Sequence, residues 1–261
     1  MNPFLNIAIR GATEAGKIIL RNLNKLDSIN IQSKGRNDFV SEVDFMAEQT
    51  IINILHSSYP DHDILGEESG NLSGTKKSDF QWIIDPLDGT TNYLHGFPMY
   101  AVSIALQKRG VLQAGVVFDP LKEELFTAAI GEGAFLNQRR LRMSGCSKMS
   151  KALIGTGFPF KNLPALDRYI EMFRRIFPET AGVRRAGSAA LDLAYLAAGR
   201  LDGFWEMDLK PWDIAAGVLL IKEAGGVISD FDGADEYLQS GNVVGGCLKI
   251  HQELLDLVNG R

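Results

Sequence analysis

Cysteine is scarce in this chain. Cys146 and Cys247 are the two present, far apart and outside any Cys-x-x-Cys spacing. That excludes a disulfide framework and a cysteine-built zinc site, and leaves free thiols of a reducing compartment. No apolar run approaches the roughly 20 residues that a membrane span needs. Arg10, Glu14 and Lys17 interrupt the first apolar stretch, which is therefore no signal peptide. A cytoplasmic protein without a membrane partner is expected. A basic excess is missing too: 27 Lys and Arg stand against 32 Asp and Glu, a net charge of −5. Such a balance gives no general attraction to nucleic acid or anionic lipid, and it suits an acidic cleft that concentrates cations. Repeats, low-complexity tracts and flexible linkers are also lacking.

What is there is an ordinary globular composition, 45% hydrophobic and 23% charged over 261 residues, enough for a substantial core. Phe4, Ile7, Ala8, Ala12, Ala15 and Ile19 recur at helical spacing, which predicts an amphipathic helix over 3–23. A second helix is expected over 41–58, with Val43, Met46, Thr50, Ile51 and Ile54 or Leu55 as its apolar stripe and Pro60 beyond its end. Residues 29–40 read as extended and then irregular. From residue 80 the period changes: 80–84, 100–107, 111–118 and 124–129 read as strands of an antiparallel meander. Lys108-Arg109-Gly110, Asp119 to Lys122 and Asn137-Gln138 supply its turns. After residue 150 strands (152–157, 181–185, 202–206, 226–230) alternate with helices (165–177, 188–199, 213–224). The chain thus divides into an α+β half over 1–145 and an α/β half over 146–261, forming one compact α/β unit with a cleft between them.

Acidic residues collect at turning points: Gly66-Glu67-Glu68-Ser69, Asp85-Pro86-Leu87-Asp88-Gly89-Thr90, Glu206-Met207-Asp208 and Pro211-Trp212-Asp213. Trp82-Ile83-Ile84 is a buried-strand sequence that runs into Asp85; Pro86 stops the strand and Gly89 permits a tight turn. Asp85 and Asp88 therefore emerge where both carboxylates can face one point, as a hard cation such as Mg²⁺ requires. Free N–H groups from Gly89 to Thr91 at a helix start form a phosphate cradle. Each segment alone has a plainer reading. Asp-Pro-x-Asp-Gly is often a type I turn, Asp213 a helix N-cap, Glu67-Glu68 a solvated loop, and Gly187-Ser188 a serine cap. Their combination favours a cation site, since so many acids together would repel without one.

These motifs carry a resemblance. Gly66 to Ser69, Trp82 to Asn92, and Trp212 to Gly217 through Glu223-Ala224-Gly225-Gly226 resemble the inositol monophosphatase family, within the lithium-sensitive, magnesium-dependent phosphatases. The similarity covers nearly the whole chain. Lys34 to Asp44, Thr156 to Lys161 and Arg184 to Tyr195 bring it nearest to bacterial members. The resemblance implies a five-layer α-β-α-β-α sandwich, commonly a homodimer. It makes Glu67, Asp85, Asp88, Asp213 and the Leu87 carbonyl ligands of two or three Mg²⁺ ions. Glu67 and Thr90 would position the attacking water, Gly89 and Thr90 N–H groups would hold phosphate, and Asp88, Ala189, Glu206 and Asp213 would line the pocket for sugar hydroxyls. Lys34 and Asp44 lie close to positions used around the metals.

The implied reaction is hydrolysis of a small phosphorylated cyclitol or sugar, of the myo-inositol 1-phosphate type, by direct in-line attack of an activated water. No residue stands out as a nucleophile: His95 reads as a loop residue at the pocket rim. Fructose-1,6-bisphosphatase and 3′-phosphoadenosine phosphatase activities share the same metal core. The resemblance to bacterial members also implies transcription antitermination through Nus factors and RNA polymerase. Arg139-Arg140-Arg142, Arg174-Arg175 and Arg184-Arg185 are available for such contacts, or are ordinary solvated surface.

Overall fold

The structure, a computed structural model, describes residues 2–23, 31–35, 38–160 and 162–261, with the backbone alone over 31–35 and 38–41. Helix α1 (Pro3–Leu23) buries Ala8, Ala12, Ala15 and Ile19, as its spacing predicts, and also Leu5, while Phe4 and Ile7 are half-buried at the edge of the same core. Strands β1 (Ile31–Gly35) and β2 (Asp38–Ser41) pair as an antiparallel hairpin. Lys34 lies in β1, and its side chain is outside the described residues. Helix α2 (Glu42–Ser58) departs from its expected stripe. Val43, Ala47, Ile51 and Leu55 are buried together with Asp44 and Glu48, while Met46 is exposed. The inward face thus includes two acids that apolar patterning passes over.

An eight-stranded sheet follows, in the order β10-β9-β8-β7-β6-β5-β3-β4. Its strands are β3 (Asp63–Gly66), β4 (Gly70–Leu72), β5 (Phe80–Asp88), β6 (Ala101–Lys108), β7 (Val111–Asp119), β8 (Glu124–Ala129), β9 (Gly133–Leu136) and β10 (Arg139–Arg140). From β5 to β10 it is the expected meander, and Asn137 and Gln138, both at positive φ, make the last hairpin turn. β3 breaks the pattern by pairing parallel to β5, and it is too short and too mixed to show in the hydrophobic period. Between β5 and β6 comes the short helix α3 (Thr90–Leu94).

The second half forms a five-stranded sheet in the order β12-β11-β13-β15-β14, from β11 (Leu153–Thr156), β12 (Gly182–Arg184), β13 (Gly203–Glu206), β14 (Val227–Ser229) and β15 (Val243–Gly246). Helices α4 (Leu166–Ile176), α5 (Ala189–Ala197), α6 (Pro211–Glu223), α7 (Tyr237–Ser240) and α8 (Leu248–Asn259) complete it. The alternation read from the sequence stops at β14, so β15, α7 and α8 lie beyond it.

Alternation along the strands sorts the core. Trp82 and Ile84 join α1 and α2 on one face of the large sheet; Ile83, Ala101 and Ala105 face α5 and α6 on the other. Phe204 and Val243 face those same helices from the small sheet, while Trp205 and Val244 face α4 and α8. The layers are therefore α1/α2, large sheet, α5/α6, small sheet and α4/α8. Eight of the nine residues of α5 and eight of the thirteen of α6 are buried, because these helices are covered by sheet on both sides. Among the described residues no helix is long and apolar enough to cross a membrane.

Two histidines are buried in these layers. His251 of α8 has Nε2 2.8 Å from Ser229 Oγ, and burial lowers its pKa. His62 is stacked between Tyr59 and Phe80, at 4.8 and 4.7 Å; burial lowers its pKa too, against Asp61 and Asp63. Both bind a proton less readily folded than unfolded, so their contribution is complete above an unfolded pKa of about 6.5 and is lost as pH falls toward the folded values. Between about pH 7 and about pH 5 the two histidines lower the urea unfolding midpoint, so the slope of the midpoint against pH should be smaller in His251→Asn than in the wild type. An unchanged slope in the variant would remove His251 from this account.

Candidate active site

The ladder between β3 and β5 ends at Gly66 opposite Ile84, and the Glu67 N–H donates to the Ile84 carbonyl at 3.1 Å. Glu67 and Asp85 consequently leave two adjacent parallel strands side by side. Asp85 is 1% exposed; its Oδ1 accepts the Leu87 N–H at 2.9 Å, which fixes the bend after Pro86. Asp85 pairs in register with Ser103 of β6, whose Oγ donates to the Trp212 carbonyl at 3.2 Å. That bond draws the start of α6, and with it Asp213, onto the end of β5. The helix starts at Pro211, so Asp213 is not its N-cap but its third residue, with Oδ2 accepting the Lys210 N–H at 2.7 Å.

Asp85, Asp88 and Asp213 each offer an oxygen within 4.8 Å of the others. Burial drives the Asp85 carboxyl well above the usual carboxylate range, and Glu67, Asp88 and Asp213 push it the same way. Repulsion of that kind is relieved by a proton or by a cation. An all-oxygen carboxylate set suits a hard divalent ion, so these residues fit a metal site.

Gly89 has φ +93°, and a Cβ there would lie 2.7 Å from the Met99 carbonyl oxygen, so both conformation and space demand glycine. Thr90 Oγ1 is 3.0 Å from both Asp44 Oδ1 and the Leu87 carbonyl oxygen. The Asn92 amide donates to the Met99, Ala186 and Gly187 carbonyls, tying this turn to the approach of α5. Ser188 is the N-cap of α5; its Oγ accepts the Leu191 N–H and donates to Asp88, which also takes the Ala190 N–H at 2.8 Å. The plain reading of Ser188 as a cap and the reading of this helix start as part of the site hold together.

One cleft of about 630 Å³ is lined by Glu67, Asp85, Leu87, Asp88, Gly89, Thr90, Ala189, Glu206 and Asp213, so all the residues expected at the site meet in it. Asp44 is buried behind Thr90. Glu206 and Asp192 form the far wall, and burial first, then neighbouring acids, raises both carboxyls well above the usual range. Gly157 passes so close to Glu206 that a Cβ would lie 1.7 Å from Oε1. His95 is exposed at the end of α3, holds the Thr91 carbonyl with Nδ1, and does not line the cleft.

Asp192 and Glu48 escape the sequence reading. Glu48 Oε1 accepts the Glu68 N–H at 3.0 Å and supports the loop that bears Glu67. Its signal was available: Asp44 and Glu48 stand four apart on α2, on the side of Val43, Ala47 and Ile51. Asp192 is masked by the alanines and leucines of α5.

Carboxylates around a cleft that also offers backbone N–H groups make a site suited to phosphate-ester hydrolysis. The model of the inositol monophosphatase family matches residues 1–259, and the chain belongs to that family. It is 52% identical over 261 residues to a Nus factor SuhB of Pseudomonas aeruginosa, covering 99% of this chain and 96% of the relative. The crystal structure of extragenic suppressor protein suhB from Bartonella henselae superposes with a TM-score of 0.95 at 41% identity, covering 98% of each chain. An inositol monophosphatase from Anabaena gives 0.84 at 38% identity, covering 98% of this chain and 95% of that one. The five-layer fold expected from the sequence is the one these relatives share.

Gly157→Ala tests the far wall. The new methyl must displace the Glu206 carboxyl, and phosphate release should fall about ten- to a hundred-fold with the fold intact. Wild-type turnover would show that the Glu206 position is not required.

Proposed function

We propose that the chain hydrolyses inositol monophosphate, of the myo-inositol 1-phosphate type, to inositol and phosphate with magnesium. The observation that carries this reading is the convergence of Asp85, Asp88 and Asp213 beside Glu67 in one cleft. Glu67, Asp85, Asp88, Asp213 and the Leu87 carbonyl are assigned as the groups that hold Mg²⁺, two or three ions per site. Bound there, the ions supply charge neutralisation for the phosphoryl group and acidify water.

The chain's own residues do the positioning. The Thr90 hydroxyl has one proton to donate, toward Asp44 or Leu87, and keeps lone pairs for the attacking water. Glu67 orients that water from the opposite strand. N–H groups of Gly89 and Thr90 take phosphate oxygens. Asp88, Ala189, Glu206 and Asp213 meet the ring hydroxyls. Fructose-1,6-bisphosphate and 3′-phosphoadenosine phosphates are the competing substrates, and a panel of phosphate esters separates them. Two copies of the chain are inferred to assemble as a homodimer.

A second reading rests on the Pseudomonas relative, whose name describes a Nus factor. It makes the chain a transcription antitermination protein that contacts Nus factors and RNA polymerase. Arg139, Arg140, Arg142, Arg174 and Arg184 are exposed for such contacts, while Arg185 stacks over Phe158 and Phe160 at the cleft. Arg175 is not available, because it donates to the Leu257 and Val258 carbonyls at the end of α8. A phosphatase-dead variant that still sustains ribosomal RNA transcription would make the two roles separable.

Phosphate release from inositol monophosphate should require Mg²⁺ and be inhibited by Li⁺. Asp88→Asn and Asp85→Asn should each lose activity by about a thousand-fold or more while remaining folded. An active, metal-dependent Asp88→Asn enzyme, or full indifference to lithium, would overturn the assignment.

A further inference from the structure

Two thiols that stand 101 positions apart in the sequence meet in the fold. Cys146 lies in the segment that leads from the first half into β11, and Cys247 is the N-cap of α8, directly after β15. The Cys247 thiol donates to the backbone carbonyl of Cys146 at 2.9 Å. That contact limits the two Cα atoms to a separation of about 8 Å, where disulfides span about 4.4–6.8 Å. The Cys146 thiol itself turns to the Lys148 carbonyl at 3.5 Å, a weak hydrogen bond that rotation about Cα–Cβ gives up at little cost. Residues 141–148 belong to no helix or strand, so the Cys146 backbone can close the remaining gap without breaking a ladder. Both side chains pack at the edge of the core cluster that contains Met149 and Ile250. Neither is fully buried, so a small reagent in solvent reaches them.

The pair stands at a junction. Asp202, just before β13, accepts the Ser144 hydroxyl with Oδ1 at 2.6 Å and the Leu153 N–H with Oδ2 at 2.8 Å. Gly246, the last residue of β15, passes so close that a Cβ there would lie 3.2 Å from the Asp202 carbonyl oxygen. One aspartate thus gathers the incoming segment, β11 and β13, with β15 against it. Its contacts fall two residues before Cys146 and one before Cys247. All these ties are noncovalent, and a bond between the two sulfurs would make the junction covalent. It would do so at the start of β11, whereas the cleft lies at the other end of that strand, by Thr156 and Gly157.

We propose that Cys146 and Cys247 are a redox-responsive pair that closes reversibly into a disulfide, clasping β15 and α8 to the segment that enters the second half. This is independent of the phosphatase reading. The oxidant is a low-molecular-weight disulfide of the glutathione class. One cysteine thiolate attacks it, forming a mixed disulfide and expelling one thiolate. The second cysteine thiolate attacks the protein sulfur of that mixed disulfide and expels the other. Two protons leave the protein thiols and are taken up by the two released thiolates, and the reagent gains the two electrons that the pair loses. In a reducing milieu the pair stays open, and excess thiol reverses the closure.

The full chain, reduced and then exposed to oxidised glutathione, should lose about 2 Da and both alkylatable thiols while retaining no glutathione. Trypsin should release residues 143–148 joined to residues 223–249, a link that dithiothreitol cuts. Because the bond closes a long loop, the oxidised chain should melt about 5 °C or more above the reduced one. Cys146→Ser and Cys247→Ser, each shown to be folded by circular dichroism, should abolish both the mass loss and the rise in Tm. Glutathione retained on either cysteine, a bond between two chains, or thiols that stay free would overturn the pair. An internal disulfide that leaves Tm unchanged would overturn the clasp.

Discussion

Carboxylates crowded into one cleft raise one another's energy, and the structure around this cleft is arranged to hold several of them there. Pro86 does not stop β5 as the sequence suggests but lies in an irregularity of its ladder between Asp85 and Asp88, and Asp85, inside an eight-stranded sheet, can neither retreat to solvent nor turn away. Glu67 is fixed beside it by a parallel ladder, and Asp213 by a helix clamped between two sheets. The repulsion among them makes the site a receptor for positive charge before any substrate arrives. A fold selected for stability alone would have placed apolar residues at these strand ends.

The same constraint explains how the two sheets are joined. Asp88 takes hydrogen bonds from the first turn of α5, where the helix dipole favours negative charge. Asn92 reaches across to the Ala186 and Gly187 carbonyls, and Ser103 reaches α6. These are polar bonds set into a largely apolar sandwich, all within a few residues of a carboxylate. They position the acids as well as binding layer to layer.

The fold was legible where periodicity is long and clean: α1, the meander from β5 to β10, and the apolar α5 and α6. It was obscure where elements are short or carry function. β3 has four residues and one of the main acids follows it, and β15 is a brief Val-Val-Gly-Gly run that shows no alternation. The stripe of α2 misled because its inward face holds Asp44 and Glu48 in place of apolar residues. Site residues were legible as motifs because glycine, proline and acid recur together at turns. Asp192 was not, since it stands alone among the alanines and leucines of α5, and Glu48 was signalled only by its spacing of four from Asp44 on α2.

The order of strands in the small sheet has a further consequence. β15 is the last strand in the chain, yet it lies between β13 and β14 and supplies both with hydrogen bonds. Until it is synthesised, β14 has no partner in the sheet, and the wall bearing Glu206 has a bare edge. α8, which follows it, then seals the outer face. β15 is thus a keystone laid last: a chain cut short before it keeps every acid of the cleft in its sequence but lacks the arch that sets them facing one another.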